Sequence, residues 1–416
     1  MVKSRVAAGD TASRAPEGSA GKGFFSSLES LRGLAAMVVV ILHAVWTNPV
    51  SNLRIFQNGA LMVDLFFVLS GFVICHSYGA RLGTSADIGR FLWLRLGRLY
   101  PLHLAFLFVF LGFEVSKLIA QQRFGVVADK PAFGVNNGFA FLTNLFLLQS
   151  LGLHHSLTFN YPSWSISTEF YTYGLFAVVR SVTGRAVGYL IAAVVVIVVS
   201  MAVLDLAHVV SIADAGFDWG FFRCCWGFFL GTLIWHLFEY LKRHPVRPQY
   251  IMILSWLSPL TLAAALIFLA CVDPDSHWTY AFPWLAALIV LTVVAWPHAG
   301  SQKVLESAAL QWLGRVSYSL YMVHAAIVWI FVQVLTMVFK FPKIVVEDGH
   351  GVGTPAAVGI GVLLVYVVAV LCLSQWTYTH IEEPFRRRAK AVAASAFVGP
   401  RLIGDSESHP VETAGR

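Results

Sequence analysis

Arg32 and His43 stand eleven residues apart in an otherwise apolar stretch that runs from Ser30 to Trp46. On an α-helix this spacing is three turns plus roughly 20°, so the two side chains share a face with about 16 Å of rise between them. Ionisable groups in a membrane span are costly, face a protein interior or a wet cavity, and count as candidates for a functional site. An imidazole so placed can take a proton from a hydroxyl, and a carboxylate can fix its tautomer and stabilise the imidazolium. Asp64 and Glu169 are the candidate carboxylates, each near the start of its own apolar run. Ser165, Glu169, Thr172 and Tyr173 form a polar stripe at helical spacing, and Ser317, Tyr321 and His324 share a face later in the chain. These residues are candidate cavity lining. Arg95 and Arg98, one turn apart, suit phosphate binding and with Arg32 would make an anion site.

Each signal also has a plainer reading. His43 can be a hydrogen-bonded histidine between helices, and Asp64 can bond nearby backbone amides. Glu169 can be a helix cap, although a capping box starting at Ser163 would need the carboxylate at Ile166. Tyr321 and His324 can be packing residues with polar tips. Arginines between residues 81 and 98 are expected from membrane topology alone. His154 and His155 read as solvated or acceptor-facing, without the neighbours a zinc site needs. No metal or permanently bound cofactor is expected.

The elements that must carry these residues are membrane helices. With 57% hydrophobic and 12% charged residues, and a mean hydropathy of +0.71, the chain is too apolar for a soluble domain, where about a quarter of residues are charged. The net charge of +7 does not indicate nucleic acid, because Lys and Arg cluster between apolar runs. The five cysteines fall in or beside those runs and read as small buried hydrophobes without a disulfide framework. Spanning-length runs lie at 30–46, 60–78, 99–120, 164–180, 187–204, 219–238, 251–271, 281–297, 316–338 and 356–378. The stretch 138–150 is too short to span and suits an interfacial or re-entrant helix.

The reading is therefore an all-α, polytopic bundle of ten transmembrane helices with both termini cytoplasmic. Its inside connections would hold Arg81 to Arg98, Arg180 and Arg185, Lys242 to Arg247, Lys303 and Arg315, and Arg386 to Lys390. Residues 1–22 are expected to be a disordered cytoplasmic tail, 23–388 the membrane domain, and 389–416 a second cytoplasmic tail.

Six segments together resemble the acyltransferase-3 family of integral membrane O-acyltransferases. They are Leu31 to Ala36 with His43, Asp64 to Val73, Arg95 to Pro101, Ser163 to Glu169, Ser317 to His324, and Ile381 to Arg386. The resemblance implies ten membrane helices and transfer of an acyl group, often acetyl, from a cytoplasmic acyl-CoA to a hydroxyl, commonly of a sugar. It further implies essential roles for Arg32 and His43, donor handling around Arg95 and Arg98, and importance for Glu169. The expected protein is a bacterial inner-membrane enzyme whose partners are the bilayer, acyl-CoA and a cell-surface glycan or lipid-linked saccharide. The alternative is a saccharide or lipid transporter using His43, Asp64 and Glu169 as a proton relay, although the internal repeats common in transporters are not evident.

Overall fold

In hydrocarbon every backbone N–H and C=O must be satisfied within its own segment, so apolar runs bounded by Gly, Pro and charge become helices. The computed structural model describes residues 20–126, 130–184, 186–346 and 349–396, and the tail expected over 1–22 lies almost wholly outside them. The first half of the chain forms α1 (Ala20–Leu42), α2 (Arg54–Gln57), α3 (Met62–Tyr78), α4 (Ser85–Phe124), α5 (Gly138–Leu145), α6 (Trp164–Thr183) and α7 (Ala186–Leu206). It continues with α8 (Gly220–Arg243), α9 (Pro248–Ser255), α10 (Leu257–Cys271), α11 (Phe282–Ala295), α12 (Ala299–Leu305) and α13 (Ala308–Gln333). A hairpin of β1 (Lys343–Val346) and β2 (Gly349–Val352) precedes α14 (Ala356–Thr377) and α15 (Glu383–Ala396).

Eight helical stretches among the described residues are long and apolar enough to cross a membrane. The sequence count was ten. The two of the ten outside this set are α1 and α6, and both give up apolar positions to Ser, Glu and Arg. Exposed Val198, Ile267 and Val365 on α7, α10 and α14 belong to the apolar coat of the bundle. Cys271 and Cys372 lie on that coat, so only Cys75, Cys224 and Cys225 are the buried hydrophobes expected of all five.

Close helix pairs depend on glycine. A methyl group at Gly71 would collide with the carbonyl of Phe228, and one at Gly314 with the backbone of Glu29. Small residues of this kind let α3 approach α8 and α1 approach α13 at backbone distance.

The 40-residue α4 would measure about 60 Å, twice a hydrocarbon core of roughly 30 Å. It starts at a capping box in which Asp87 N–H donates to the Thr84 hydroxyl at 3.2 Å and Thr84 N–H to the Asp87 carboxylate at 3.0 Å. Its basic first half packs against α15, with the Trp93 indole N–H 3.1 Å from the carbonyl of Ala389. Past residue 389, the expected start of the second tail, the chain remains helical. An alanine-rich segment forms helix readily, and α15 continues to Ala396 with Ala389 and Ala393 buried.

Two further departures sit near the site. Helix α1 stops at Leu42, not Trp46, and Val45 to Thr47 run extended against the hairpin, Trp46 bridging Val352. Thr47 N–H donates to the Val352 carbonyl and Val352 N–H to the Val45 carbonyl, both at 2.9 Å. The hairpin itself was absent from an all-α reading, although Ile344, Val345 and Val346 before a glycine are a strand signal. The second departure follows α5, the short helix expected within 138–150. Residues after it dip into the core, burying Thr158, Phe159, Asn160 and Ser163, and the Asn160 amide donates to the carbonyl of Met322 at 3.0 Å.

Candidate active site

Five helices contribute to one cavity of about 700 Å³: α1 through Arg32, α3 through Ser70, α4 through Arg95 and Arg98, α6 through Ser165, Glu169 and Tyr173, and α13 through Ser317, Tyr318 and Tyr321. The sequence candidates Arg32, Arg95, Arg98, Glu169, Ser165, Tyr173, Ser317 and Tyr321 thus meet around a single space. Glu169 accepts from the Tyr173 hydroxyl at 2.6 Å, and that hydroxyl lies 3.0 Å from Ser70 Oγ. Arg95 donates to the Tyr78 hydroxyl at 3.1 Å. Arg32 and Arg98 have no hydrogen bond or ion pair among the described residues, although each is an electrostatic neighbour of Glu169 and Tyr173. Three guanidiniums and one carboxylate line the cavity, with Glu382 and Glu29 acting on Arg98 from outside that lining, and the excess of cations on the wall favours an anionic guest. Phe66, Ile74 and Leu99 supply apolar wall.

At one end of this cavity Ser165 Oγ donates to the Tyr321 hydroxyl at 3.0 Å. Behind Tyr321 the ring of His324 lies 5.8 Å away, and His43 faces His324 with ring centroids 4.9 Å apart. Tyr161 completes the cluster at 5.0 Å from His43 and 6.1 Å from His324. His43 follows the last residue of α1, and its Nδ1 lies 2.8 Å from the Val39 carbonyl. Because a carbonyl only accepts, this contact assigns the proton to Nδ1 and leaves Nε2 as the basic nitrogen of the neutral ring. His324 is fully buried, and neither of its ring nitrogens makes a well-formed hydrogen bond among the described residues. The carbonyls of Leu320 and Tyr321, one turn back, are near without good alignment. A buried imidazole in this state calls for an explanation beyond packing.

The carboxylates are arranged differently from the sequence reading. Glu169 does not share the level of His43 but sits among the arginines. The cause is the buried connection: α6 begins four residues after Asn160, which is tied to the middle of α13. Five residues of helix then carry Glu169 about 7.5 Å further toward the arginine end. Asp64 does not line this cavity at all. It is fully buried and bonded through both oxygens to Arg223 of α8, at 2.9 and 2.8 Å. Arg223 also donates to the carbonyls of Ala60 and Ala213.

Three participants escaped the sequence reading. Arg223 carried a signal, since a cation within the apolar run 219–238 needs a partner. Glu382, buried behind the cavity, accepts from Ser319 Oγ at 2.9 Å and is an electrostatic neighbour of Arg98. It was quoted only as part of a resembling segment. Tyr161 had no pattern to reveal it, because it sits in a single 3₁₀ turn.

A helical membrane bundle whose arginine-rich cavity ends beside a histidine pair, His324 buried and His43 half-buried, suits a membrane-embedded transferase. The chain belongs to the acyltransferase-3 family, described as an acyltransferase domain, which it matches over residues 25–377. It is an integral membrane protein with the bilayer as its surroundings. It is similar to protein 2 in the picA locus of Rhizobium radiobacter, 32% identical over 165 residues that cover 37% of this chain and 81% of that protein. Acyltransferase MdmB of Streptomyces mycarofaciens is 26% identical, covering 73% of this chain and 78% of MdmB. Peptidoglycan O-acetyltransferase OatA of Listeria monocytogenes is 22% identical over 75% of this chain and half of its own length. No solved structure matches the chain.

Proposed function

We propose that this protein transfers an acyl group, acetyl foremost, from acyl-CoA to a hydroxyl of a cell-surface glycan or lipid-linked saccharide. In this reading α1 and α6 also cross the bilayer, making ten spans with both termini cytoplasmic in a bacterial inner membrane. The basic segments 81–98 and 386–390 support that orientation.

One observation carries the reading. The cavity that gathers Arg32, Arg95 and Arg98 is bounded by Tyr321, which abuts the His324–His43 pair. The CoA phosphates lie against the guanidiniums, and the pantetheine arm runs up the apolar wall. The distance of about 16 Å along α1 from Arg32 to His43 is near the length of that arm. The Ser165–Tyr321 bond closes the way, so Tyr321 turns aside when the thioester reaches His43. Nε2 of His43 then takes the proton of the acceptor hydroxyl while its oxygen attacks the thioester carbonyl. The tetrahedral intermediate collapses, the C–S bond breaks, and the departing thiolate takes the proton from the imidazolium. The products are an O-acyl ester and free CoA. The similarity to OatA, a peptidoglycan O-acetyltransferase, supports a saccharide acceptor.

The test is acetyl-CoA consumption by the purified full-length chain with an envelope extract as acceptor source. His43→Ala and Arg32→Ala are expected to abolish it. Near-normal turnover in either variant overturns the assignment, and proton-driven movement of a saccharide without CoA release would favour a transporter.

A further inference from the structure

A second, open cavity lies beyond the histidine pair, about 740 Å³ with its solvent-open mouth included. Along α13 the first cavity uses Ser317 to Tyr321 and the second uses Ala325 to Val332, with His324 between them. Along α4 the same order holds, from Arg95 and Arg98 to Phe113, Glu114 and Lys117. Tyr161 lines the second cavity and touches both histidine rings. We propose that this second cavity seats the acyl acceptor and that its guest is an uncharged pyranose ring. The inference rests on the saccharide acceptor proposed above and adds where its ring sits and that it is uncharged.

The walls argue for a sugar. A pyranose has C–H faces, which pack on flat aromatic surfaces, and a rim of hydroxyls, which needs fixed donors and acceptors. Here Phe113 lies flat on Trp329, with ring centroids 4.0 Å apart and planes 9° from parallel. That pair makes a stiff aromatic wall, and Tyr161 adds another ring at the inner end. The rim partners are held in place by Glu114, which is buried on α4. One of its oxygens accepts from Lys117 at 2.7 Å and from Asn136 at 2.9 Å, and the other from Phe133 N–H at 2.8 Å. Asn136 in turn accepts from Phe159 N–H at 2.6 Å, so its side chain is fixed at both ends. The Lys117 ammonium has three protons, of which one bond goes to Glu114. A cavity mostly apolar, with several aromatic rings and a few anchored polar groups, is the usual composition of a small-molecule site.

Charge selects the class of sugar. Lys117 and Glu114 offset one another, whereas the first cavity sets three cations against one anion. An anionic sugar finds its counter-ions in the first cavity and none uncompensated in the second. Trp329 lies five residues beyond His324, about 7.5 Å along the helix, so a ring on this wall presents its inner hydroxyl toward Tyr161 and the histidines.

The test uses the full chain in lipid nanodiscs with methyl β-glucopyranoside, methyl β-glucuronide and glucose 6-phosphate as probes, followed by saturation-transfer NMR. Transfer to the C–H protons of the neutral glycoside is expected in the parent protein, lost in Trp329→Ala and retained in Trp329→Phe. With acetyl-CoA present, Trp329→Ala and Asn136→Ala should raise the acceptor KM about tenfold while leaving the acetyl-CoA KM unchanged. No transfer to the neutral glycoside, transfer indifferent to Trp329→Ala, or stronger binding of either anionic probe that Trp329→Ala abolishes overturns the proposal. The binding arm needs no acyl donor. A chain that binds the glycoside through Trp329 but never consumes acetyl-CoA upholds this site and defeats only the transferase reading.

Discussion

Nδ1 of His43 lies 2.8 Å from the carbonyl of Val39, so the catalytic candidate is aimed by the backbone of its own helix. An asparagine at this position can keep the donated bond while offering no base. His43→Asn is therefore expected to unfold within a few degrees of the parent protein. Turnover should fall by about 10²–10⁴, the usual contribution of a positioned general base. Thermal unfolding and acetyl-CoA consumption on the same preparation check both halves. Retained turnover would remove His43 from the chemistry.

The guanidiniums of Arg32 and Arg98 await an anion. Replacing Arg98 by Gln should raise the acyl-CoA KM by about tenfold or more, the scale of a lost charge-assisted hydrogen bond. Lys at the same position should fall between, since it keeps the charge but not the planar fork. CoA should also raise the unfolding temperature of the parent protein, because a ligand that binds only the folded state stabilises it. A CoA-independent unfolding temperature would count against a donor site here.

Asp64 and Arg223 form a buried pair, and breaking such a pair costs about 3–5 kcal/mol. Asp64→Ala is expected to lower the unfolding temperature sharply, while Asp64→Leu combined with Arg223→Met recovers most of the loss. Thermal melts of the two single variants and the double variant decide the matter. If Asp64→Ala melts like the parent yet loses turnover, the carboxylate belongs to the chemistry and not to the scaffold.

Outside the membrane helices, burial of His154 in the connection after α5 pushes its pKa down, and neighbouring His155 adds to the shift. Its Nε2 lies 2.7 Å from the Thr143 hydroxyl. The folded connection prefers a neutral ring, whereas the opened chain takes a proton near the ordinary value of about 6.5. The support from His154 is complete above that pH and is lost as the pH falls below it. Hydrogen exchange over residues 146–160, corrected for intrinsic rates, should therefore quicken between pH 7.5 and 5.5. His154→Gln should flatten this dependence, and an unchanged profile in that variant would assign it to another group.

Much of this was legible in the sequence because a bilayer punishes polar groups. Arg32, His43 and Glu169 announced themselves as exceptions in apolar runs, Arg95 and Arg98 stood out by their one-turn spacing and the family resemblance, and the structure brings the arginines and Glu169 to one cavity. Periodicity also put Ser317, Tyr321 and His324 on one face, and they line up along that cavity and just past it. Relative depth was not legible. The level of Glu169 depends on where α6 begins, and that is set by tertiary bonds such as those from Asn160 to Met322 and from Gln149 to Ser163. The Asp64–Arg223 pair was hidden for the same reason, since each residue lies on a different helix and only packing chooses the partner. The extension of α15 to Ala396 was misread because an alanine-rich polar end looks like a tail until α4 offers it a surface.

The hairpin between α13 and α14 gives the His43 segment an external lever. Its Val345 is 86% exposed, while its last residue, Val352, is bonded to the strand-like residues that follow His43. Trp46 is fastened a second time, through its indole N–H to the carbonyl of Gly359 at 3.1 Å. A nanobody that grips the hairpin would tug on the buckle that holds the histidine in register. It is expected to slow turnover without competing with acyl-CoA, which makes this small ribbon an inhibitor epitope remote from both cavities.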